Sequence, residues 1–322
     1  MSMNSAKVII YMPALNEGLT IHDVLKSIPK RLNSVSEIEM LVINDGSSDN
    51  TASEASKAGA TVISHNYNKG VGSAFHTAVD YTLKQGADIL VSIDADGQFD
   101  VLQIEGMISP ILKNEADFSI GNRFNNGRPA GMPKIKFWGN KRISKIVSFV
   151  SRNKIKDASC GFRAYSKDCL LNLNLDGSFT YTHETILDLA NKGYRVAQIP
   201  VNVIYFDGRI SRVANSLTKY AFKTSSIIFK CLKDYKPLQF FSSIALVIFI
   251  IGLLFGGFVL VHWIQNGSIT PYKSIGIFGL ALVGMSLLLA VYALMADMLG
   301  RIRKNQEKIL YYQKKQYFEK DQ

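Results

Sequence analysis

Apolar and polar positions alternate in two rhythms over the first two thirds of the chain. Residues 7–12, 40–44, 61–64, 88–93 and 116–120 are short, β-branched, apolar runs. Such runs read as buried strands. Between them, residues 17–32, 48–58, 71–85 and 101–114 repeat apolar positions at helical spacing. Strands alternating with helices of this length predict an α/β layer fold with a mostly parallel sheet. A further helix is expected where Glu184 opens the apolar run 185–190. No internal repeat or low-complexity tract interrupts the pattern.

The rhythm changes after residue 210. Residues 215–237 place Leu217, Tyr220, Ala221, Thr224, Ile227, Ile228 and Leu232 at helical spacing with lysines between them. This predicts an amphipathic helix lying on a membrane surface. Residues 240–264 and 275–296 then carry no charge at all. At about 1.5 Å per residue each run is long enough to cross a hydrocarbon core as a helix. Lysines precede the first run, Arg301, Arg303, Lys304 and Lys308 follow the second, and only Lys273 lies between. The positive-inside rule therefore expects a multi-pass protein with both termini cytoplasmic. The expected organisation is a body at 1–212, a juxtamembrane helix at 213–238, spans at 240–264 and 275–298 within residues 239–300, and a basic tail at 301–322.

Composition adds three constraints. The 322 residues hold 37 Lys+Arg against 26 Asp+Glu, a net charge of +11. The lysines beside the apolar runs account for the excess through membrane charge rather than nucleic acid. Three scattered cysteines, Cys160, Cys169 and Cys231, form neither a disulfide framework nor a zinc spacing and fit a reducing compartment. The opening residues are polar, and no cleavable signal peptide is expected.

Polar clusters follow each predicted strand: Pro13–Glu17, Asp45–Thr51, Asn66–Gly72, Asp94–Gln98 and Gly121–Phe124. In parallel sheets, ligands bind beyond the carboxyl ends of strands. Two carboxylates one residue apart, Asp94 and Asp96, suit a hard divalent cation such as Mg²⁺ or Mn²⁺ with positions left for phosphate oxygens. Asp45 is placed to accept hydrogen bonds from a ribose or a base. The glycine-rich turn 69–72, with Gly70, lets backbone approach a ligand. Neither a P-loop nor a dinucleotide fingerprint is present.

Pro-Ala-Leu-Asn-Glu, Asp-Gly-Ser-Ser-Asp-Asn-Thr, Asp-Ala-Asp-Gly-Gln, Gly-Asn-Arg-Phe and Asp157-Ala-Ser-Cys-Gly-Phe-Arg163-Ala-Tyr165 occur in this order. Together they resemble the inverting GT-A glycosyltransferases of family 2, and most nearly the polyprenyl-phosphate glycosyltransferases, over residues 6–215. The resemblance implies that Pro13, Leu15, Glu17, Ile43 and Asp45 hold the nucleoside. It implies that Asp94, Ala95, Asp96 and Gln98 hold metal, diphosphate and sugar, and that Arg209 and Arg212 belong to a later donor element. Arg123, with Lys141, Arg142 and Ser144, would face the acceptor phosphate, and Asp157 would have a catalytic or substrate-orienting role. The implied partners are a nucleotide-sugar donor, a polyprenyl phosphate and membrane lipids, with self-association through the spans as a further option. A membrane glycosyltransferase using a hydroxyl acceptor, and a non-catalytic sugar-nucleotide sensor, are the alternatives. His65, His76 and His183 read as structural, and Cys160 as a packed thiol.

Overall fold

The computed structural model describes residues 6–174, 181–205, 229, 233 and 237–320. These fall into two compact units: Met1–Ile228 with Leu310–Gln322, and Phe229–Ile309.

The first unit is built on β1 (Ala6–Ala14), β2 (Val35–Asn44), β3 (Thr61–Ser64), β4 (Ile89–Ser92), β5 (Phe118–Asn122), β6 (Arg163–Ser166) and β7 (Val196–Pro200), in the order β3-β2-β1-β4-β6-β5-β7. β1 pairs parallel with β2 (Ile10 opposite Met40) and with β4 (Ile10 opposite Val91). β5 pairs parallel with β7. β6 alone runs antiparallel, between β4 and β5. The carboxyl ends of β1, β2, β4 and β5 thus share one edge, and the polar clusters gather there. Val8, Ile9, Ile10, Tyr11 and Met12 are all fully buried. Helices therefore cover both faces, which is why this strand lacks alternation.

Among the described residues this unit also holds helices α1 (Ile21–Ser27), α2 (Thr51–Lys57), α3 (Val71–Lys84), α4 (Ile104–Leu112), α5 (Lys134–Ser151), α6 (Lys167–Asn172) and α7 (Thr182–Asn191). The sequence pattern overruns at α1, expected over residues 17–32. Asn16 takes a left-handed φ of 52°, and Ile28, preceding Pro29, is extended with ψ 130°. A residue before proline is driven out of the helical region, so the helix stops there. β2 begins five residues earlier than its apolar core, at Val35, because its polar first half pairs with β1. β6, β7, α5 and α6 lie beyond the expected elements.

The second unit contains α8 (Pro237–Asn266) and most of α9 (Lys273–Lys320). The apolar runs at 240–264 and 275–298 both lie within these helices. The segment expected as a tail after residue 300 continues as helix to Lys320. α8 and α9 meet where Gly252 and Gly279 face each other. A Cβ on Gly252 would lie 2.9 Å from the Gly279 carbonyl oxygen, and one on Gly279 would lie 3.1 Å from that of Gly252. Phe255 packs on Phe278, and Phe241 on Tyr292. The last turns of α9 belong to the first unit. There Tyr311 donates to Asp168 Oδ1 at 2.6 Å, Lys314 donates to Leu173 O at 3.0 Å, and Phe318 is buried. The expected amphipathic helix at 213–238 lies almost wholly outside the described residues.

Candidate active site

The loop after β1 is fastened to the loop after β2. Asn16 N donates to Ser47 Oγ, Ser48 N donates to Asn16 Oδ1, and Glu17 N donates to Thr51 Oγ1, at 2.8–2.9 Å. Asp49 accepts from Gly18 N and from Thr51. Desolvation pushes the Asp49 carboxyl up, but these hydrogen bonds win and hold it below the usual carboxylate range. Pro13 pairs with Ile43 in the sheet, and Leu15 is half-buried beside them.

Asp45 is buried and receives three donors. His65 Nδ1 lies 2.7 Å from Oδ1, Lys69 N donates to Oδ1 at 2.9 Å, and Gly70 N donates to Oδ2 at 2.8 Å. The carboxylate therefore fixes the loop that opens α3, in addition to any contact with a nucleoside. Gly70 has φ 92°, which a side chain would strain. His65, whose Nε2 meets Thr77 Oγ1 at 3.0 Å, is thereby tied to the site.

Asp94, Ala95 and Asp96 follow β4, with Ala95 buried and both acids half-buried. Gln98 N donates to Asp96 Oδ1 at 3.0 Å. Gly161 faces Asp94: a Cβ there would stand 3.1 Å from both carboxylate oxygens. Only glycine leaves that carboxylate uncrowded. Among the described residues no cluster of three or more His, Cys, Asp or Glu could cage a metal. Two carboxylates with the remaining positions left to a ligand are a donor set that fits Mg²⁺ or Mn²⁺ shared with phosphate oxygens.

Arg123, after β5, is bound bidentately by Asp157: Nε to Oδ2 at 2.7 Å and Nη2 to Oδ1 at 2.9 Å. Its Nη1 meets Tyr205 OH at 3.4 Å. The pair is nearly dry, so each charge depends on the other. Lys136, on the first turn of α5, lies over the Tyr205 ring at 5.4 Å. Burial and the Arg123 charge push its ammonium down, while Asp96 pulls it up, so Lys136 sits within the field of both the arginine and Asp96.

The loop carrying Asp157 is held from behind by the fully buried Arg163. Its guanidinium donates to Cys160 O, Ala158 O, Thr182 O and Thr185 Oγ1 at 2.6–2.9 Å. Ser144 also serves this loop: it is buried, and its Oγ accepts from Ala158 N at 2.9 Å. Lys141 and Arg142 are exposed on the other side of α5, over the rings of Phe137 and Trp138. The structure joins Asp45 to Gly70, Asp96 to Gln98 and Arg123 to Asp157, sets Asp94 against Gly161 of the Asp157 loop, and separates the buried Ser144 from the exposed Lys141 and Arg142. Arg209 and Arg212 lie outside the described residues. Glu184 sits in the first turn of α7. Lys136, Tyr205, His65 and the role of Arg163 have no motif of their own. They emerge only when α5, β3 and β6 are in place. Burial raises the Cys160 thiol to about 12, as a packed, unreactive cysteine requires.

The fold is GT-A-like, and the family to which its sequence belongs makes the chain a glycosyltransferase. The chain belongs to glycosyl transferase family 2, whose model matches residues 9–173. It is 26% identical over 310 residues to the glycosyltransferase AglJ of Haloferax volcanii, covering 94% of this chain and 96% of that one. It is 29% identical over 229 residues to the UDP-N-acetylglucosamine–dolichyl-phosphate N-acetylglucosaminyltransferase of Methanococcus voltae, covering 65% and 90%. In fold it matches the glucosyl-3-phosphoglycerate synthase of Mycobacterium tuberculosis in complex with Mn²⁺, uridine diphosphate and phosphoglyceric acid. That match has a TM-score of 0.54 at 20% identity over 71% of this chain and 78% of that one.

Proposed function

We propose that this chain is an inverting transferase that moves a sugar from a UDP- or GDP-sugar to a polyprenyl phosphate at the cytoplasmic face of a membrane. The observation that carries the reading is the meeting of two opposed charge sets. An acidic pair, Asp94 and Asp96, ends β4 against Gly161, in the loop whose Asp157 binds Arg123, and Lys136 feels both Asp96 and Arg123. Such an arrangement suits two phosphate-bearing substrates that must be brought together against their mutual repulsion. The names of the curated relatives agree with it.

Asp94 and Asp96 would hold the divalent cation, which when bound neutralises the diphosphate of the donor. Asp45 and the loops at residues 13–17 and 43–49 would seat the nucleoside. Arg123, kept rigid by Asp157, and Lys136 would hold the acceptor phosphate. A phosphomonoester is already ionised at neutral pH, with a second pKa of about 6, so its oxygen can attack without a dedicated base. That oxygen bonds to the anomeric carbon as the bond to the nucleoside diphosphate breaks, and in-line attack inverts the centre. Membrane anchoring fits this acceptor, since extracting a prenyl chain costs about 0.8 kcal/mol per CH₂. α8 and α9 are long and apolar enough to span a bilayer. Few of the residues in their apolar stretches are buried within the chain, unlike those of the core helices of a soluble protein.

The test is an assay of the purified chain with undecaprenyl or dolichyl phosphate against UDP- and GDP-sugars, with Mg²⁺, Mn²⁺ or EDTA. Sugar on lipid phosphate, lost with EDTA, is the expected result. Product only on a hydroxyl acceptor, or donor binding without turnover, sinks the proposal.

A further inference from the structure

Helix α5 carries a second surface that the transfer reaction does not use. Its inward face, Asn140, Ser144, Val147, Val150 and Ser151, is buried. Positions 135, 138, 142, 145 and 149 advance by three and four residues and form one outward stripe. On it Ile135 is 61% exposed, Trp138 60% and Phe149 76%, with Ile146 beside them at 42%. Large apolar side chains held in water along one helix face mark an interaction site. Arg142 and Lys145 interleave them, and Arg142 lies 5.0 Å over the Trp138 ring.

The charge around this stripe identifies its partner. Between Asp117 and Asp157 the chain has ten Lys or Arg and no Asp or Glu, and α5 itself exposes four of them, Lys134, Lys141, Arg142 and Lys145. This stretch therefore carries a charge of +10, so positive charge is concentrated here as well as beside the apolar runs. Exposed Trp, Phe and Ile set among cations, with no carboxylate in the segment, match the boundary of an anionic bilayer: rings at the headgroup level, ammonium and guanidinium groups on lipid phosphates. Each basic residue near such a surface contributes on the order of 1 kcal/mol.

We infer that the outward stripe of α5 docks on the anionic lipid surface itself. The same helix sends Lys136 and Ser144 towards the site, so docking would set the distance between the membrane and the acceptor-binding residues. The inference uses the proposed reaction only for this consequence; the docking stands on the stripe and its charge.

The chain has two tryptophans, which makes the test direct. Trp263→Phe leaves Trp138 as the sole indole. The full chain is reconstituted into vesicles of phosphatidylcholine with or without phosphatidylglycerol, free of polyprenyl phosphate, and read with brominated acyl chains as quencher. The expected result is a blue-shifted Trp138 emission quenched several-fold more in anionic vesicles, and released by Lys145→Glu/Phe149→Ser. Water-like, unquenched emission in anionic vesicles overturns the inference. So does quenching that is equal in phosphatidylcholine alone or indifferent to the double substitution. A Trp138 response to a single-stranded oligonucleotide but not to vesicles would overturn it in favour of nucleic acid. The readout needs neither donor nor acceptor, so its failure leaves the transfer reaction standing. Loss of turnover without loss of quenching would strike the transfer reaction alone.

Discussion

Arg123 and Asp157 stabilise each other in a place that suits neither alone. Breaking a buried ion pair by removing one partner typically costs about 3–5 kcal/mol, because the other charge is left uncompensated. Asp157→Asn is therefore expected to lower the melting temperature clearly, while Arg123→Leu/Asp157→Leu recovers much of the loss without recovering turnover. Thermal melts beside activity assays decide this. Asp96→Ala should act oppositely: turnover falls roughly a hundredfold or more, while circular dichroism and membrane association stay unchanged. His183 offers a third check. Burial, reinforced by Arg163 and opposed by Asp157, pushes its imidazole down to about 3, against an ordinary value of about 6.5. Below pH 6.5 the unfolded chain takes up a proton that the folded chain refuses. The stabilisation is complete above that pH and is lost as pH falls towards 3, at up to about 1.4 kcal/mol per pH unit. His183→Gln should flatten this part of the stability profile, read by denaturant unfolding at stepped pH.

Elements differ in how plainly the sequence announces them. β1 and β4 are unbroken apolar runs, and their polar endings, Pro13–Glu17 and Asp94–Gln98, are legible as a site because parallel strands must end together. β6 is not legible. Its Arg163 reads as an ion-pair partner for Asp157, yet it is fully buried on backbone carbonyls. Its antiparallel direction follows from tertiary pairing, which local pattern does not encode. α5 is similarly opaque, since its buried face includes Asn140, Ser144 and Ser151 while Ile135, Trp138 and Phe149 lie outward, so apolar character does not mark the inward side. Asp157 was visible as chemistry, but its partner Arg123 lies 34 residues away and required the fold. α8 and α9 are legible from length and charge, but their contact is written in glycines. Gly279→Ile should lower the melting temperature of the detergent-solubilised chain, because the added side chain meets the backbone of α8. Gly284→Ile, where a Cβ meets nothing within 4 Å, should leave it unaltered.

Across the whole molecule, the catalytic unit is assembled from two separated stretches of chain, with residues 229–309 as an insertion between them. Asp168 gathers Tyr194 and Tyr311 on its two oxygens, and Lys314 reaches Leu173 O and Asn174 Oδ1. The bond to Asp168 raises the Tyr311 phenol to about 12, with burial adding to it, so it stays a donor throughout the working pH range. A practical rule for anyone wanting a water-soluble version comes from this discontinuity. Stopping translation at residue 228 would amputate part of the globule along with the oily segment, and would lay bare the seat of Phe318. Excising the insertion and splicing residue 228 to residue 310 through a flexible linker keeps every piece of the enzyme's body in one product.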